Sequence, residues 1–334
     1  MSKLPQSAYI LSSVSLRRIY SEQTQRRIGK LTRPLGRIIT AENWREHTDE
    51  LATVECILSG WGMPLMDDYF LDAMPQLKHV FYGAGSIRGF YTEAARSRSI
   101  GVSSSWRANA IPTAEFAYAA ILLSLKKYWR AQQRTEMSHA WQKPPEAAGI
   151  FRSTVGIVSL GAVGRKVASF LTHGHSLNVL AYDPFISQES ANAIGAHGVS
   201  LEELFASSDV VSLHAPSLPE TEGMIDNTLL ASMKPHATLI NTARGALIDE
   251  ATLISFLQER TDIDAVLDVT SPEPCPADSL LWKLPNAFIT PHIAGSLNTE
   301  CYRLGEYMAD ELERYLEGLD LEHEVTEEVL LTMA

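Results

Sequence analysis

The chain has 334 residues, 45% of them hydrophobic and 20% charged, with a formal net charge of −12 at pH 7. That length points to about two domains, leaves ample chain for a sizeable core and rules out a single small module, and the composition excludes a disordered chain. The acidic balance argues against a nucleic-acid binder, which needs a basic face.

Short apolar runs predict strands at residues 8–11, 56–58, 79–81, 155–158, 178–182, 210–213, 238–241, 265–268 and 287–290. Most are continuous rather than alternating, as in parallel strands buried on both faces. Amphipathic stretches at 162–171, 201–207, 229–233 and 250–259 predict helices between them. The alternation implies a doubly wound α/β architecture. Longer helices are expected at 113–130 and 295–316, as the two crossings between domains, with a loop around Pro144-Pro145. One domain is then discontinuous, residues 1–107 plus 297–334, and the other is 108–296.

Charge is uneven along the chain. Residues 301–334 hold ten acidic against two basic residues, and residues 1–30 hold six basic against one acidic. Both read as solvated helix faces that attract each other if the two ends share a domain. Cys56, Cys275 and Cys301 form no CxxC pair, and no His/Cys cluster has zinc-ligand spacing, so free thiols and no metal are expected. No signal-peptide pattern opens the chain, and its longest fully apolar stretch, 116–123, is short of a membrane span. The expectation is a cytoplasmic protein with no membrane and no nucleic-acid partner.

The segment Val158-Ser159-Leu160-Gly161-Ala162-Val163-Gly164 follows a strand and opens a helix. It resembles the dinucleotide fingerprint GxGxxG with Ser159 in place of the first glycine. Gly161 lets the backbone approach a pyrophosphate, Gly164 allows close helix–strand packing, and the helix start offers free N–H groups. Alone, the pattern reads equally as a structural turn, and the Ser159 Cβ crowds it. Asp183 ends the next strand, 22 residues after Gly161. A carboxylate there bonds the ribose 2′-OH and repels a 2′-phosphate, favouring NAD over NADP. Its structural alternative is a turn residue before Pro184.

Arg244, Glu273 and His292 each stand just past a predicted strand, and so at one edge of an open sheet. Singly they read as a surface arginine, a solvated turn and a strand-capping histidine. Jointly they make a chemistry. Arginine offers a planar fork for a carboxylate, histidine gives or takes a proton near neutrality, and a carboxylate beside an imidazole favours its charged form. The set suits polarising a 2-oxo acid, receiving hydride at its carbonyl carbon and protonating the alkoxide.

The most specific stretches are His214-Ala215-Pro216 through Thr221, Met233-Lys234-Pro235, Asn241-Thr242-Ala243-Arg244-Gly245, Leu267-Asp268 through Pro274, and Thr290-Pro291-His292-Ile293-Ala294-Gly295. With these the chain resembles the D-isomer-specific 2-hydroxyacid dehydrogenases, strongly over residues 109–296 and loosely before. The resemblance implies two doubly wound parallel-sheet domains, a Rossmann NAD-binding domain and a flavodoxin-like substrate domain. It implies that Arg244 binds the substrate carboxylate and oxo group, and that His292, paired with Glu273, is the acid/base. It places the nicotinamide carboxamide on Asp268, with Gly161, Ala162, Val163, Gly164, Asp183, His214, Ala215, Pro216, Thr221, Thr242, Ala243 and Gly295 along the cofactor. The turn Gly83-Ala84-Gly85-Ser86 resembles the loop whose amides meet the substrate carboxylate. The helix at 113–130 resembles the dimer helix, so a homodimer is expected.

Three departures stand out: Ser159 for glycine, Ala162 for a frequent arginine, and Asp264 for a common glycine. Trp61 lies in the loop where phosphoglycerate-oxidising relatives carry an arginine, and 334 residues leave no room for their regulatory extension. The expected substrate is therefore glyoxylate, hydroxypyruvate or a similar small 2-oxo acid, with Trp61 walling its pocket or buried as a core aromatic. Trp141 reads as packing, or as reaching a dimer partner. The alternatives are an NADH-sensing binding protein and hydride transfer from another substrate such as phosphite.

Overall fold

The computed structural model describes residues 4–333. They fall into two units, one running up to Asn109 and resuming at Ser296, the other Ala110–Gly295. The sequence reading places these breaks at 107 and 296.

The sheet of the first unit holds β1 (Gln6–Ile10), β2 (Arg33–Ile39), β3 (Cys56–Ser59), β4 (His79–Tyr82) and β5 (Gly101–Ser104). All pairs are parallel, in the order β2-β1-β3-β4-β5. This is the flavodoxin-like order, and the winding reverses between β1 and β3. Alternate residues feed opposite faces: Ile10, Ile57 and Val80 enter one core, and Leu11, Leu58 and Phe81 the other. Two of these strands carry no apolar run. Pro34 and Gly36 mark β2 as an edge strand, where a missing N–H is tolerated. In β5, buried Ser103 and Ser104 replace apolar residues and bond inside the core.

The helix Cys301–Glu317 lies on the second face through Cys301, Leu304, Met308 and Leu312, at helical spacing. It starts six residues later than expected, after a single 3₁₀ turn, Asn298–Glu300. It therefore lies within the first unit and is not the second crossing. The oppositely charged ends do meet. Arg27 bonds Asp310 at 2.5 Å and also Glu313.

The sheet of the second unit holds β6 (Thr154–Val158), β7 (Asn178–Tyr182), β8 (His197–Gly198), β9 (Val210–Leu213), β10 (Thr238–Asn241), β11 (Asp264–Leu267) and β12 (Ala287–Ile289). All pairs are parallel, in the order β12-β11-β10-β9-β6-β7-β8. The winding reverses between β6 and β9, so their carboxyl ends open a crevice. Each of β9, β10 and β11 is buried at every position, which explains the continuous apolar runs.

The helix Trp106–Leu125 is long and apolar enough to cross a membrane, but half of it is buried, with Ala114, Ala117, Ile121 and Leu125 in a core. The single helix expected over 113–130 is broken. Lys127 adopts a left-handed φ of 54°, and a second helix, Tyr128–Ser138, follows. The cause is electrostatic. The Lys127 ammonium turns inward to Asp264 at 2.9 Å, Thr238 Oγ1 at 3.2 Å and the Ala237 carbonyl at 3.3 Å. Arg130 Nε takes the other Asp264 oxygen at 2.8 Å. Lys127 and Asp264 are 3% and 1% exposed, and burial pushes the ammonium pKa down while Asp264 draws it back up.

Removing one member of a buried pair strands the other. Asp264→Ala should therefore cost about 3–5 kcal/mol, read as a lower urea midpoint of the second unit, and the Lys127→Met/Arg130→Leu/Asp264→Leu triple variant should recover most of it.

Candidate active site

In the second unit the parallel strands bring the loops after β6, β7, β9, β10, β11 and β12 to one edge. The β6 turn opens with Ser159 at φ +74°, a left-handed conformation that glycine adopts without cost. It is held there by its own N–H on the Tyr182 carbonyl at 2.7 Å. Asp183 also secures it, accepting from Leu160 N–H at 2.8 Å and Ser159 Oγ at 3.3 Å. The other Asp183 oxygen accepts from Phe185 N–H at 2.9 Å, the Asx-turn bond of the structural reading. Gly164 is sterically required, because a Cβ there would sit 2.0 Å from the Ser159 carbonyl oxygen. At Gly161 a Cβ would meet nothing closer than Ser159 Oγ at 3.9 Å. Gly161 starts the helix Ala162–Gly174, and among the described residues no side chain caps it. Its first turn, with Ala162 and Val163, presents free N–H groups.

Asn241 ends β10 and clamps the next turn. Its Oδ1 accepts from Ala243 N–H at 3.0 Å and its Nδ2 donates to the Arg244 carbonyl at 2.9 Å. Arg244 is half-buried, and its Nη1 donates to the Ala243 carbonyl at 2.7 Å. Burial pushes the guanidinium pKa down and Glu273 pushes it up, and such a group stays charged. Gly245 seals this turn to the β11 loop, since a Cβ there would lie 2.1 Å from the Thr270 backbone. Three residues on stands Glu273.

Asp268 follows β11 and is 1% exposed. Its Oδ1 accepts from Thr290 Oγ1 at 2.6 Å and Ile293 N–H at 2.9 Å, and its Oδ2 from Ala294 N–H at 2.8 Å. Its carbonyl accepts His292 N–H at 3.0 Å. The loop so held carries His292 at φ +52°. His292 Nδ1 lies 2.5 Å from Glu273 Oε1 and, facing a carboxylate, carries the proton. Both side chains are partly exposed, at 47% and 41%, which leaves Nε2 available. Asn241, Thr290 and Gly245 thus support the site, although the sequence reading names them only within motif stretches and gives them no role. Their signal is position: a strand-ending amide, a hydroxyl two residues before His292, and a glycine next to Arg244.

After β9, burial pushes His214 down to about 3, so it is neutral, with Nε2 3.0 Å from Ser212 Oγ. Among the described residues its Nδ1 and the Thr242 Oγ1 are buried without a partner. Thr221 closes the turn after Ala215 and Pro216, donating to the Pro216 carbonyl at 2.6 Å. Gly295 is the last residue of this unit. Two orphaned polar atoms, an open helix start and a carboxylate after the next strand fit a dinucleotide such as NAD.

Trp61, Ala84, Gly85 and Ser86 belong to the first unit. Trp61 follows β3 at the β1/β3 reversal, 38% exposed, its carbonyl accepting from Ser12 N–H at 3.2 Å. The turn 83–86 follows β4, where Gly83 N–H donates to the Ser59 carbonyl at 2.9 Å.

A family model described as "D-isomer specific 2-hydroxyacid dehydrogenase, NAD binding domain" matches residues 118–294. The D-3-phosphoglycerate dehydrogenase of Mycobacterium tuberculosis (strain ATCC 25618 / H37Rv) is 34% identical over 254 residues, 76% of this chain and 48% of that protein. The chain spans about half the length of such relatives. The glyoxylate reductase of Korarchaeum cryptofilum (strain OPF8) is 31% identical over 258 residues, 76% of this chain and 77% of that protein. The NAD-complexed structure of a D-isomer-specific 2-hydroxyacid dehydrogenase from Lactobacillus delbrueckii ssp. bulgaricus matches in fold. Its TM-score is 0.79 at 22% identity, with 96% of this chain and 100% of that one covered.

The left-handed Ser159 gives a direct test. Ser159→Gly should raise the urea midpoint by the equivalent of about 1 kcal/mol as the strain is relieved. A lowered midpoint would show that the bond to Asp183 outweighs the strain.

Proposed function

The chain belongs to the D-isomer-specific 2-hydroxyacid dehydrogenase family, and we propose that it is an NAD-dependent reductase of a small 2-oxo acid, with glyoxylate or hydroxypyruvate as the substrate class. One observation carries the reading: His292 Nδ1 bonded to Glu273 at 2.5 Å, in the unit that also holds a shielded, charged Arg244. NAD, when bound, supplies or takes the hydride. The Ala110–Gly295 unit would hold it. Gly161, Ala162 and Val163 would meet its pyrophosphate, Asp183 its ribose, and Asp268 its carboxamide, with His214, Ala215, Pro216, Thr221, Thr242, Ala243 and Gly295 along its length.

Arg244 would bind the substrate carboxylate and polarise the oxo group. His292 Nε2 would give its proton to the developing alkoxide, or take it back in the oxidative direction. Glu273 would hold the Nδ1–H tautomer and stabilise the imidazolium. Trp61 and the turn Ala84-Gly85-Ser86 are the substrate-binding residues proposed in the first unit. The uncharged Trp61 supports a small acid over a phosphorylated one. A homodimer is part of the proposal, supported by exposed Met137, Trp141 and Phe151 in and after the helix Tyr128–Ser138. A cytoplasmic setting is supported by three unpaired cysteines.

NADH consumption against glyoxylate, hydroxypyruvate, pyruvate and 3-phosphohydroxypyruvate tests the substrate class. Turnover confined to the phosphorylated acid would overturn the small-acid reading. His292→Ala should lower kcat/KM by about 100- to 10,000-fold while the NADH Kd is unchanged. Asp183→Ala should narrow the preference for NADH over NADPH in a binding titration, and an unmoved ratio would remove that residue from cofactor selection.

A further inference from the structure

Ser104 ends β5 and is fully buried. Its Oγ lies 3.0 Å from the Ala84 carbonyl oxygen and 2.5 Å from that of Gly85, sharing one proton between them. In a trans peptide the N–H points opposite to the C=O. Drawing these two carbonyls inward therefore turns the N–H groups of Gly85 and Ser86 together to the other side. Among the described residues neither N–H has a protein acceptor. A Cβ built on Gly85 would meet only Asn109 Nδ2 at 4.0 Å. Two adjacent amides without an acceptor, at a glycine with room beside its Cα, make an anion-binding concavity.

The segment 323–333 fastens this arrangement at two points. It starts from Glu311, a buried carboxylate that accepts Glu322 N–H at 2.9 Å, His323 N–H at 3.1 Å and Ser103 Oγ at 3.1 Å. The chain then runs antiparallel along β5, with Ser104 N–H on the His323 carbonyl at 3.0 Å and Val325 N–H on the Val102 carbonyl at 2.8 Å. Further on it meets Arg88, whose own N–H donates to Ser86 Oγ at 3.3 Å. The Arg88 guanidinium donates to the Met333 carbonyl at 2.8 Å, to that of Leu331 at 3.3 Å and to that of Leu330. Met333 is buried in the core that holds Ala84 and Ile87.

We propose that Ser104 and Arg88 are positioning residues for the amide pair of Gly85 and Ser86, and that the segment 323–333 locks both against the turn. The proposal rests on the reading of that turn as a carboxylate site. Neither residue touches the substrate, and each acts through the orientation of the two peptides.

Oxamate, a carboxylate analogue of a 2-oxo acid, is titrated calorimetrically into the NADH-loaded protein, alongside glyoxylate kinetics. Ser104→Ala should raise the oxamate Kd and the glyoxylate KM by about tenfold, with kcat changed far less and NADH affinity unchanged. Arg88→Ala, a surface substitution that decides the matter if Ser104→Ala does not fold, should raise both by about threefold. A lower Tm with unchanged oxamate Kd and KM would overturn the proposal, because a merely structural role moves stability alone. If the unaltered protein binds NADH but neither oxamate nor glyoxylate, the proposed function itself falls and takes this inference with it.

Discussion

Three donors converge on the Asp268 carboxylate, and the arrangement of loops at this edge of the second unit depends on them. A buried carboxylate is expensive unless every lone pair finds a donor. Here the donors are Thr290 Oγ1 and the N–H groups of Ile293 and Ala294, all from the loop after the neighbouring strand. The charge therefore draws that loop onto the end of β11. His292 lies inside the loop, in a left-handed conformation that an isolated chain would leave. Its ring then meets Glu273, whose own loop is pressed against Gly245 and so against Arg244. One desolvated charge and one missing side chain arrange three loops.

The same logic runs through the departures from the family pattern. Asp264 stands where a glycine is common, and its carboxylate is enclosed by Lys127 and Arg130. The new charge comes with its partners, and the helix breaks at Lys127 so that they can reach it. Ser159 replaces a glycine and keeps the glycine conformation, with its hydroxyl on the carboxylate that closes the turn. In the first unit, Glu311 is a third buried carboxylate with its lone pairs occupied, and it secures the segment that follows its helix. In each case the polar group is tolerated because donors are built around it.

Legibility followed burial. Strands β9 and β10 are buried along their whole length, and their limits, like those of the partly buried β7, stand in the sequence as they stand in the fold. Strands β2 and β5 were hidden. An edge strand with Pro34 and the opposite edge strand, built on buried serines, carry no hydrophobic run. The helix break at Lys127 was hidden too, because its cause lies 137 residues away at Asp264. Arg244, Glu273 and His292 were visible as types at strand ends. The roles of Asn241, Thr290 and Gly245 were not, since a clamp on a turn or a close approach to another loop shows only in the fold.

The amino-acid order by itself determined the class of the fold, the family, the Gly-x-x-Gly helix start and the residue types able to carry proton and carboxylate chemistry. Periodicity, chain direction and local spacing are short-range properties, and short-range properties are written in the order of residues. Tertiary structure alone decided which tautomer His292 holds, which donors satisfy Asp268, why Lys127 leaves its helix, and which way the amides of Gly85 and Ser86 face. Each of these depends on desolvation and on a partner from another strand or helix, and no local pattern encodes a distance across the core.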